Sequence, residues 1–301
     1  MTLSVVIITH NEEANLARTL ESVRPLVADG KGEIIVVDSG STDRTVEIAK
    51  SFGAKVFVEE WKGYAAQKNS AIDKAPENVW ILSLDADEEV EPELAQELLY
   101  VLMPTIPQTM GERVQQLKYL YGRQLRKQMH AVRKKHGNPD GFFVPITAYS
   151  MKRKNYFLGR WIKRGGFWPD PKLRLFRKGT ALFEDRPVHE DAKLTSGISG
   201  RLKHALIHHS YPTLSDYIDH MNRYSSLGAE MVVAKSSGKV RFSAINIVLR
   251  PLTTFVYNYF FRLGFLDGRE GLLLHLYHAV YVSWKYAKAW ELSRNSSSLS
   301  S

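Results

Sequence analysis

Four short apolar segments, each rich in β-branched residues, divide the first hundred residues at intervals that a helix can fill. They cover residues 3–9, 33–38, 54–59 and 79–84. The first is followed by Leu16, Leu20 and Val23, which recur at helical spacing. Strands that form continuous apolar runs are buried on both faces, and helices between them make the strands parallel. The sequence therefore predicts an α/β fold with a mostly parallel sheet and helices on both faces.

Polar side chains gather where three of these strands end. In an open parallel sheet the carboxyl ends of the strands meet at one edge, and ligands bind there. One such coincidence would mean little, but three strand ends in register predict a binding site. The residues concerned are Thr9, His10, Glu12, Asp38, Asp85 and Asp87.

The pair Asp85 and Asp87 directly follows the apolar strand 80–84. Two carboxylates at positions i and i+2 past a strand end present hard oxygen ligands of the kind that Mg²⁺ or Mn²⁺ prefers. A cation at this point would stabilise a leaving nucleotide diphosphate as a Lewis acid. The alternative is a pair of aspartates that caps the next helix and binds no ligand.

Two further residues are candidates for holding a nucleotide. Asp38 ends a buried strand, where a carboxylate needs a partner such as a nucleobase N–H or a ribose hydroxyl. Lys68 lies on a helix predicted over residues 63–75 and could reach a phosphate as a point charge. Taken alone, Lys68 is more typical of a surface lysine.

The loops after the first two strands also contain residues that commonly cap helices. Asn11 is predicted to cap the first helix, and Ser41 or Thr42 the second. Asp43 could also cap the second helix, and it is interpreted as mainly structural.

Four motifs in the first hundred residues, taken in order, resemble those of family 2 glycosyltransferases. They are VVIITHNE at 5–12, VVDSGSTD at 36–43, QKN at 67–69 and DAD at 85–87. Later motifs resemble the lipopolysaccharide-core branch of that family and extend the match over most of the chain. They are NYFLGR at 155–160, GFWPD at 166–170, LRLFR at 173–177, VHE at 188–190 and HHSY at 208–211.

This resemblance implies a GT-A fold, a UDP-sugar or related nucleotide-sugar donor, and inversion at the anomeric carbon. By position, it implies that Lys68 stands near base or phosphate, that Asp85 lies by ribose and metal, and that Asp87 binds the metal. The residues that it places around the nucleoside are Thr9, His10, Glu12 and Asp38.

The nucleoside-binding motifs depart from the family pattern at two positions. His10 stands where a tyrosine is usual, and Ser39 stands where a second aspartate is usual. Both departures leave the identity of the nucleobase open.

Inversion by direct displacement needs a general base that accepts the proton of the acceptor hydroxyl. The resemblance favours Glu190 for this role, with Asp191 as the alternative. His189 would be a third metal ligand or would orient Glu190. Trp168 would stack on a sugar ring or would pack in a loop. Arg174 would hold a phosphate on donor or acceptor, or would face solvent.

Charge is distributed unevenly along a chain whose net charge is +9. Residues 1–103 carry nineteen acidic and nine basic residues, whereas residues 112–164 carry fourteen basic and two acidic residues. An acidic first part suits a cation site, and a basic middle suits an anionic partner or a solvated surface. We accordingly expect a nucleotide-sugar half at 1–103, a basic helical insertion with the acceptor half at 104–212, a helical C-terminal extension at 213–294 and a flexible tail at 295–301.

The sequence also bears on location. Residues 1–9 form a predicted strand and no secretory leader, there is no cysteine, and no uncharged run reaches the roughly 18 residues of a spanning helix. We expect a cytoplasmic protein with peripheral contact to the inner face of the membrane. Leu273, Leu276, Val280 and Trp284 recur at helical spacing, as in a membrane-interfacial helix. The alternative is a helix that packs on the core or on a second subunit, since the sequence leaves the oligomeric state open.

These features together predict an inverting, metal-dependent glycosyltransferase that acts on a lipid-linked saccharide such as lipopolysaccharide core. A nucleotidyltransferase is a second interpretation, but it would usually show a glycine-rich basic loop after the first strand. A nucleic-acid-binding protein that uses the basic region 112–164 is a third. The acidic first part argues against it, so no nucleic-acid partner is expected.

Overall fold

The computed structural model describes residues 3–102, 146–184, 191–236 and 240–298, with side chains described as far as residue 294. The chain forms two compact units. Unit 1 comprises Met1–Arg153, Pro171–Asp185 and Glu190–Ile207, and unit 2 comprises Lys154–Asp170, Arg186–His189 and His208–Ser301. The predicted basic helical insertion after residue 103 lies outside the described residues, and the division predicted at residue 212 stays a prediction.

Alternating strands and helices open unit 1, as the apolar pattern predicts. In chain order they are β1 Leu3–Thr9, α1 Leu16–Val27, β2 Gly32–Asp38, α2 Thr45–Ser51, β3 Lys55–Val58, α3 Tyr64–Asp73, β4 Trp80–Asp85, β5 Glu88–Val90 and α4 Pro92–Leu102. The later elements are β6 Ile146–Phe157, β7 Arg160–Trp161, β8 Lys172–Arg177, β9 Ala181–Phe183, β10 Ala192–Leu194, β11 Ile198–Tyr211, α5 Leu214–Lys235, α6 Arg250–Val256 and α7 Gly268–Ser298.

The main sheet has the strand order β3-β2-β1-β4-β8-β6-β11-β5, with β7 paired to β6. The pairs β3–β2, β2–β1 and β1–β4 are parallel, whereas β8 runs antiparallel to both β4 and β6. The sheet is therefore parallel in its first half and mixed beyond β4. This confirms the predicted α/β class and its helical C-terminal extension.

Side chains of the parallel strands alternate between two apolar clusters. On β1, Val5 and Ile7 belong to one cluster together with Leu20 of α1, and Val6 belongs to the other together with Ala71 of α3. All of these side chains are fully buried. Helices thus cover both faces of the sheet, which explains why its strands are apolar at every position.

Unit 2 has its own small core, in which Phe157 and Ile162 pack with Tyr217 of α5 and Leu274 of α7. Helix α5 begins with a capping box: the Thr213 hydroxyl accepts a bond from the Asp216 N–H, and the Asp216 carboxylate accepts one from the Thr213 N–H. Helix α7 continues to Ser298, past the start of the flexible tail that the sequence predicts. No helix among the described residues is both long and apolar enough to cross a bilayer.

Candidate active site

The register of the parallel strands brings the predicted site residues to one edge of unit 1. Thr9 pairs with Asp38 across β1 and β2, and Ile8 pairs with Asp85 across β1 and β4. Because all three strands run in the same direction, the loops that follow them open on the same side. The prediction that these strand ends meet is confirmed by this pairing.

Asp38 is satisfied by hydrogen bonds from its own surroundings. Its carboxylate accepts bonds from the Thr9 hydroxyl at 2.8 Å, the Ser41 hydroxyl at 2.5 Å, and the N–H groups of Gly40 and Ser41 at 3.0 and 2.8 Å. Gly40 has φ +82°, a value that favours glycine, and so lets the chain turn back over the carboxylate. The loop thus supplies partners for the buried carboxylate, and a contact between Asp38 and a nucleoside stays a prediction.

The two loops at this edge are tied to each other by hydrogen bonds. Asn11 has φ +55°, and its side-chain oxygen accepts a bond from the Thr42 N–H at 2.8 Å. The Asn11 N–H donates to the Ser41 hydroxyl, also at 2.8 Å. Asn11 therefore joins the loops and does not cap α1, whose N-cap residue is Asn15. The predicted capping role of Asn11 is wrong, because its side chain is used across the loops.

The start of α2, whose N-cap residue is Arg44, is held by Asp43, as the sequence allows, and not by Ser41 or Thr42. Both the N–H and the hydroxyl of Thr45 donate to Asp43, at 3.0 and 2.5 Å. Ser41 and Thr42 lie too early in the chain to reach this helix end and serve the neighbouring loop instead. Asp43 is structural, as the sequence suggests.

His10 follows β1 and Ser39 follows β2, and the two residues contact each other. His10 is exposed, with Nδ1 3.2 Å from the carbonyl oxygen of Ser39. The hydroxyl of Ser39 is buried and has no hydrogen-bond partner in the described part of the chain. A buried hydroxyl without a partner is uncommon, and a ligand that bonds to it would remove the cost of its burial.

Asp85 lies between two buried cations. Its Oδ1 is 2.6 Å from Nζ of Lys68, and its Oδ2 is 2.5 Å from a terminal nitrogen of Arg174. Lys68 also lies 5.0 Å from the ring centre of Phe183. Lys68 and Arg174 are only 5% and 3% exposed. The surface alternatives for both side chains are therefore wrong, because the two cations neutralise a carboxylate inside the fold.

Glu88 completes this network, and sequence reasoning missed it. The side chain is fully buried, and its Oε2 accepts a bond from the Asp85 N–H at 3.0 Å. Its Oε1 lies 2.7 Å from Arg174 and 3.1 Å from Arg153. The bond to the Asp85 N–H folds the segment after β4 back on itself, so Glu88 fixes the turn that carries Asp85 and Asp87. An acid directly after the DAD motif was the available signal.

The pKa values of two carboxylates at this edge, Asp85 at the end of β4 and Glu12 after β1, are shifted in opposite directions. Burial alone would raise the pKa of Asp85, but Arg174 and Lys68 outweigh it and hold that pKa well below its usual value. Glu12 has a raised pKa, mainly because of burial, and Asp87, Asp43 and Asp85 add to the effect. Asn15 donates a bond to Glu12 at 3.0 Å, which opposes the shift without cancelling it. Negative charge is thus concentrated around Glu12 and Asp87.

These residues fit a divalent cation better at Asp87 than at Asp85. Both oxygens of Asp85 are already engaged by cations, whereas repulsion between Asp87 and Glu12 would be relieved by a bound positive charge. In the described residues no group of three or more acidic or histidine side chains is arranged around a common point. A cation at Asp87 would take its other ligands from water and a diphosphate, as Mg²⁺ commonly does.

The remaining predicted site residues contact other side chains or lie outside the described residues. Asp191 is exposed in unit 1, with one carboxylate oxygen 2.8 Å from Nζ of Lys172. Trp168 belongs to unit 2, where it packs edge to face on Trp161 at 5.1 Å between ring centres. Glu190 and His189 lie outside the described residues.

An α/β sheet with acidic side chains clustered at the ends of its parallel strands defines a class of enzymes that bind nucleotides at this edge. The chain belongs to glycosyl transferase family 2, whose model matches residues 4–187. It is a glycosyltransferase, and the sequence-based assignment to this family is confirmed. Membership also favours sugar transfer over the nucleotidyltransferase interpretation.

Relatives resemble the chain over almost its whole length. It is 30% identical to an uncharacterized glycosyltransferase, RT0209, of Rickettsia typhi, over 98% of this chain and 88% of the relative. It is 28% identical to the lipopolysaccharide core biosynthesis glycosyltransferase LpsC of Rhizobium meliloti, over 96% of this chain and 92% of the relative. A crystal structure of S. aureus TarS with UDP matches over 98% of this chain and 92% of that chain at 16% identity. Its TM-score of 0.41 is too low to carry an argument.

Proposed function

We propose that the chain is an inverting, metal-dependent glycosyltransferase that moves a sugar from a UDP-sugar to a lipid-linked saccharide such as lipopolysaccharide core. The observation that carries the proposal is the cluster of Asp85, Asp87 and Glu12 at the ends of parallel strands, backed by buried Lys68 and Arg174. The cluster lies at the edge where nucleotides bind in sheets of this kind.

The charges of the network argue for a metal ion. Lys68, Arg174 and Arg153 are each within ion-pair distance of a carboxylate of the network, either Asp85 or Glu88. A nucleotide diphosphate would bring more negative charge to a group of side chains whose cations are already paired. Mg²⁺ or Mn²⁺ held by Asp87 would supply the missing positive charge and act as a Lewis acid on the leaving diphosphate.

The loops after β1 and β2 are the proposed nucleoside site. Thr9 and Asp38 would shape its floor, because their side chains bond to each other at 2.8 Å and hold the two strand ends together. His10, Glu12 and the unpartnered hydroxyl of Ser39 would contact the nucleoside itself. Lys68 and Arg174 would act through Asp85, by fixing the position and charge of its carboxylate beside the ribose.

The chemical step needs a base that accepts the proton of the acceptor hydroxyl while the bond to the diphosphate breaks. The transition state would have oxocarbenium character, as in other glycosyl transfer. Glu190 is proposed for this role, with Asp191 as its rival. The ion pair of Asp191 with Lys172 at 2.8 Å gives Asp191 a structural function as well.

The class of the acceptor is proposed from a relative of the chain. LpsC of Rhizobium meliloti is named as a lipopolysaccharide core biosynthesis enzyme, and it aligns with 96% of this chain. An acceptor of that class is anchored in lipid, so peripheral contact with the cytoplasmic face of the membrane is part of the proposal. Trp168 and His189 remain the sequence-based candidates for acceptor contacts, whereas buried Arg174 pairs with Asp85 and Glu88.

Donor hydrolysis tests the metal and nucleotide parts of the proposal without an acceptor. The protein is incubated with UDP-, GDP-, ADP- or CMP-sugars and Mn²⁺ or Mg²⁺, and released nucleotide is measured. Asp87→Asn should abolish the slow hydrolysis, and EDTA should do the same to the wild type. Asp73→Asn, an exposed change at the end of α3, is the matched control and should be active. Absence of binding and hydrolysis with every sugar and metal would refute the proposal.

A transfer assay with a lipid-linked saccharide separates the two candidate bases. Glu190→Gln should remove transfer while donor binding, measured by thermal shift, is retained. Asp191→Asn should reduce transfer less. If Glu190→Gln transfers sugar normally and Asp191→Asn does not, the base is Asp191.

A further inference from the structure

Unit 2 exposes a run of large apolar side chains between α5 and α7. Ile245 and Val248 are 65% and 64% exposed, and Phe261 is 75% exposed. An exposed apolar cluster of this size usually marks an interaction surface. We call this cluster the apolar arm surface and define it as Phe242, Ile245, Val248, Leu249, Phe260 and Phe261.

The arm that carries these residues is helical and has one side fixed to α7. It consists of a π-helical turn at Ile245–Leu249, then α6, then a second π-helical turn at Tyr257–Phe261. The Ser283 hydroxyl of α7 donates to the carbonyl oxygen of Ile247 at 2.7 Å, and Pro251 is buried. One side of the arm is therefore occupied within unit 2, and the apolar arm surface is what the other side presents to its surroundings.

The charged residues of the segment that carries this surface are all arginines. Residues 240–266 contain Arg241, Arg250 and Arg262 but no aspartate or glutamate. All three arginines are exposed. The next acid, Asp267, is buried and accepts bonds from the N–H groups of Lys163 and Arg164. Arginines thus flank the apolar arm surface along the chain, and the acid that follows it in sequence is buried.

The face of α7 that the sequence predicts to lie in a membrane interface is largely used inside unit 2. Leu273, Val280 and Trp284 are partly buried. Lys288 of α7 bonds to the Ser225 hydroxyl of α5 at 2.8 Å, so helix α7 packs on α5. Leu276 of the same face is 45% exposed, so membrane contact of this face stays a prediction, and the arm offers a more exposed candidate.

We propose that the apolar arm surface docks on a bilayer that contains anionic phospholipid. A bilayer surface offers acyl chains to Ile245, Val248 and Phe261 and phosphate groups to the arginines at the same depth, which is the pattern of interfacial helices. A second copy of the chain would have to place the arginine-bordered surface against an identical one, and like charges would face each other. The inference rests on the proposed function only in that a lipid-linked acceptor lies in the same bilayer.

Vesicle flotation tests the proposal with the full chain and without any sugar donor. Wild-type protein should float with vesicles of phosphatidylethanolamine and phosphatidylglycerol and much less with phosphatidylcholine alone. Ile245→Glu and Phe261→Glu should each weaken binding by at least about tenfold. Each replaces an apolar side chain that the bilayer would bury with a carboxylate that anionic lipid repels. Val58→Glu is the matched control, because Val58 is 65% exposed on unit 1, as Ile245 is on unit 2. It should bind as wild type does.

Arginine and salt test the electrostatic part. Arg241→Gln should weaken binding about fivefold, whereas Arg24→Gln, an exposed change on α1, should not. Raising NaCl from about 0.1 M to about 1 M should weaken wild-type binding. Equal binding to both kinds of vesicle would overturn the anionic-lipid assignment, and lack of flotation would overturn the docking site. A dimer that Phe261→Glu dissociates, in a protein that does not float, would assign the surface to a second copy.

Donor hydrolysis is measured on the same variants to keep the two proposals apart. Ile245→Glu and Phe261→Glu should hydrolyse a soluble donor as wild type does while they fail to float. Flotation of the wild type without donor hydrolysis would refute the catalytic proposal and would still support the docking surface.

Discussion

Removing the Arg174 side chain is the most direct test of the charge network behind the site. The guanidinium contacts Asp85 at 2.5 Å and Glu88 at 2.7 Å and is 3% exposed. Breaking a buried ion pair from one side typically costs 3–5 kcal/mol. In Arg174→Ala, Asp85 keeps Lys68 and Glu88 keeps Arg153, so we expect the lower end, about 3 kcal/mol. That corresponds to a melting temperature lower by about 6–12 °C.

The pH dependence gives this prediction a second readout. Arg174 and Lys68 depress the pKa of Asp85, so its contribution to stability is present above the unfolded pKa of about 4 and is lost as the pH falls further. Without Arg174 the pKa of Asp85 rises and much of that contribution disappears at neutral pH. The stability gap between wild type and Arg174→Ala should therefore be largest near pH 7 and should narrow below about pH 4.

Urea unfolding followed by circular dichroism measures both effects. The matched control is Arg177→Ala on the same strand, because its exposed guanidinium contacts no carboxylate: it stacks on Trp80 at 4.6 Å and donates a long bond of 3.4 Å to the carbonyl oxygen of Asn78. That change should cost no more than about 1 kcal/mol. If Arg174→Ala and Arg177→Ala unfold at the same urea concentration, or if the gap does not depend on pH, the network does not stabilise the fold as we argue.

Three further predictions concern unit 2. Burial lowers the pKa of His275 to about 4, so the unfolded state binds a proton before the folded state does as the pH falls from 6.5. The melting temperature should therefore decrease between pH 6.5 and about pH 4, and His275→Leu should remove the part of that decrease that His275 causes. Gly165→Ala should destabilise unit 2 by several kcal/mol, because the added Cβ would lie 1.9 Å from Cε1 of His275. Gly159→Ala is the control: its Cβ would have nothing within 4 Å, so the change should cost about 1 kcal/mol for the positive φ. Equal urea midpoints for the two variants would refute the packing argument. Thr213→Ala should cost about 1 kcal/mol through loss of the capping box, and Thr213→Ser should restore most of it in a thermal melt.

The fold of unit 1 could be predicted because its pattern is local. An apolar run and the helical spacing after it involve a few neighbouring residues, and these decide which elements form. The exact ends of the elements could be predicted less well: the helix predicted over 63–75 covers Tyr64–Asp73. Strand β5 was missed because Glu88–Val90 has three residues, two of them acidic, and no alternating apolar pattern.

The site could be predicted where strand ends define it and not where distant partners do. Asp38 and Asp85 were found because each ends an apolar strand. The burial of Lys68 and Arg174 could not be found, because Arg174 meets Asp85 across 89 residues of chain, through the antiparallel pairing of β8 with β4. A lysine on a helix and an arginine on a strand look like surface residues until that pairing is known.

The wrong capping predictions have a related cause. Asn, Ser and Thr before a helix usually bond to its first N–H groups, and that statistical preference is local. In this protein the loops after β1 and β2 lie side by side, and Asn11 and Ser41 bond across to the neighbouring loop, about 30 residues away. Parallel pairing of the strands thus overrides a local preference, and it does so where the proposed nucleoside site needs a rigid floor.

Glu88 shows how the structure changes the meaning of the acidic first part of the chain. The excess of acids there suggested a cation site, and Glu88 and Asp85 form ion pairs with Arg153, Arg174 and Lys68. Those arginines come from β6 and β8, so part of the basic charge that the sequence places beyond residue 112 neutralises the acids of β4 and its turn. Asp87 adds negative charge beside Glu12, whose pKa is raised mainly by burial and further by repulsion from Asp87. A divalent cation that brought a diphosphate would relieve that repulsion, and for this reason Asp87 and not Asp85 is the residue on which the metal dependence should turn.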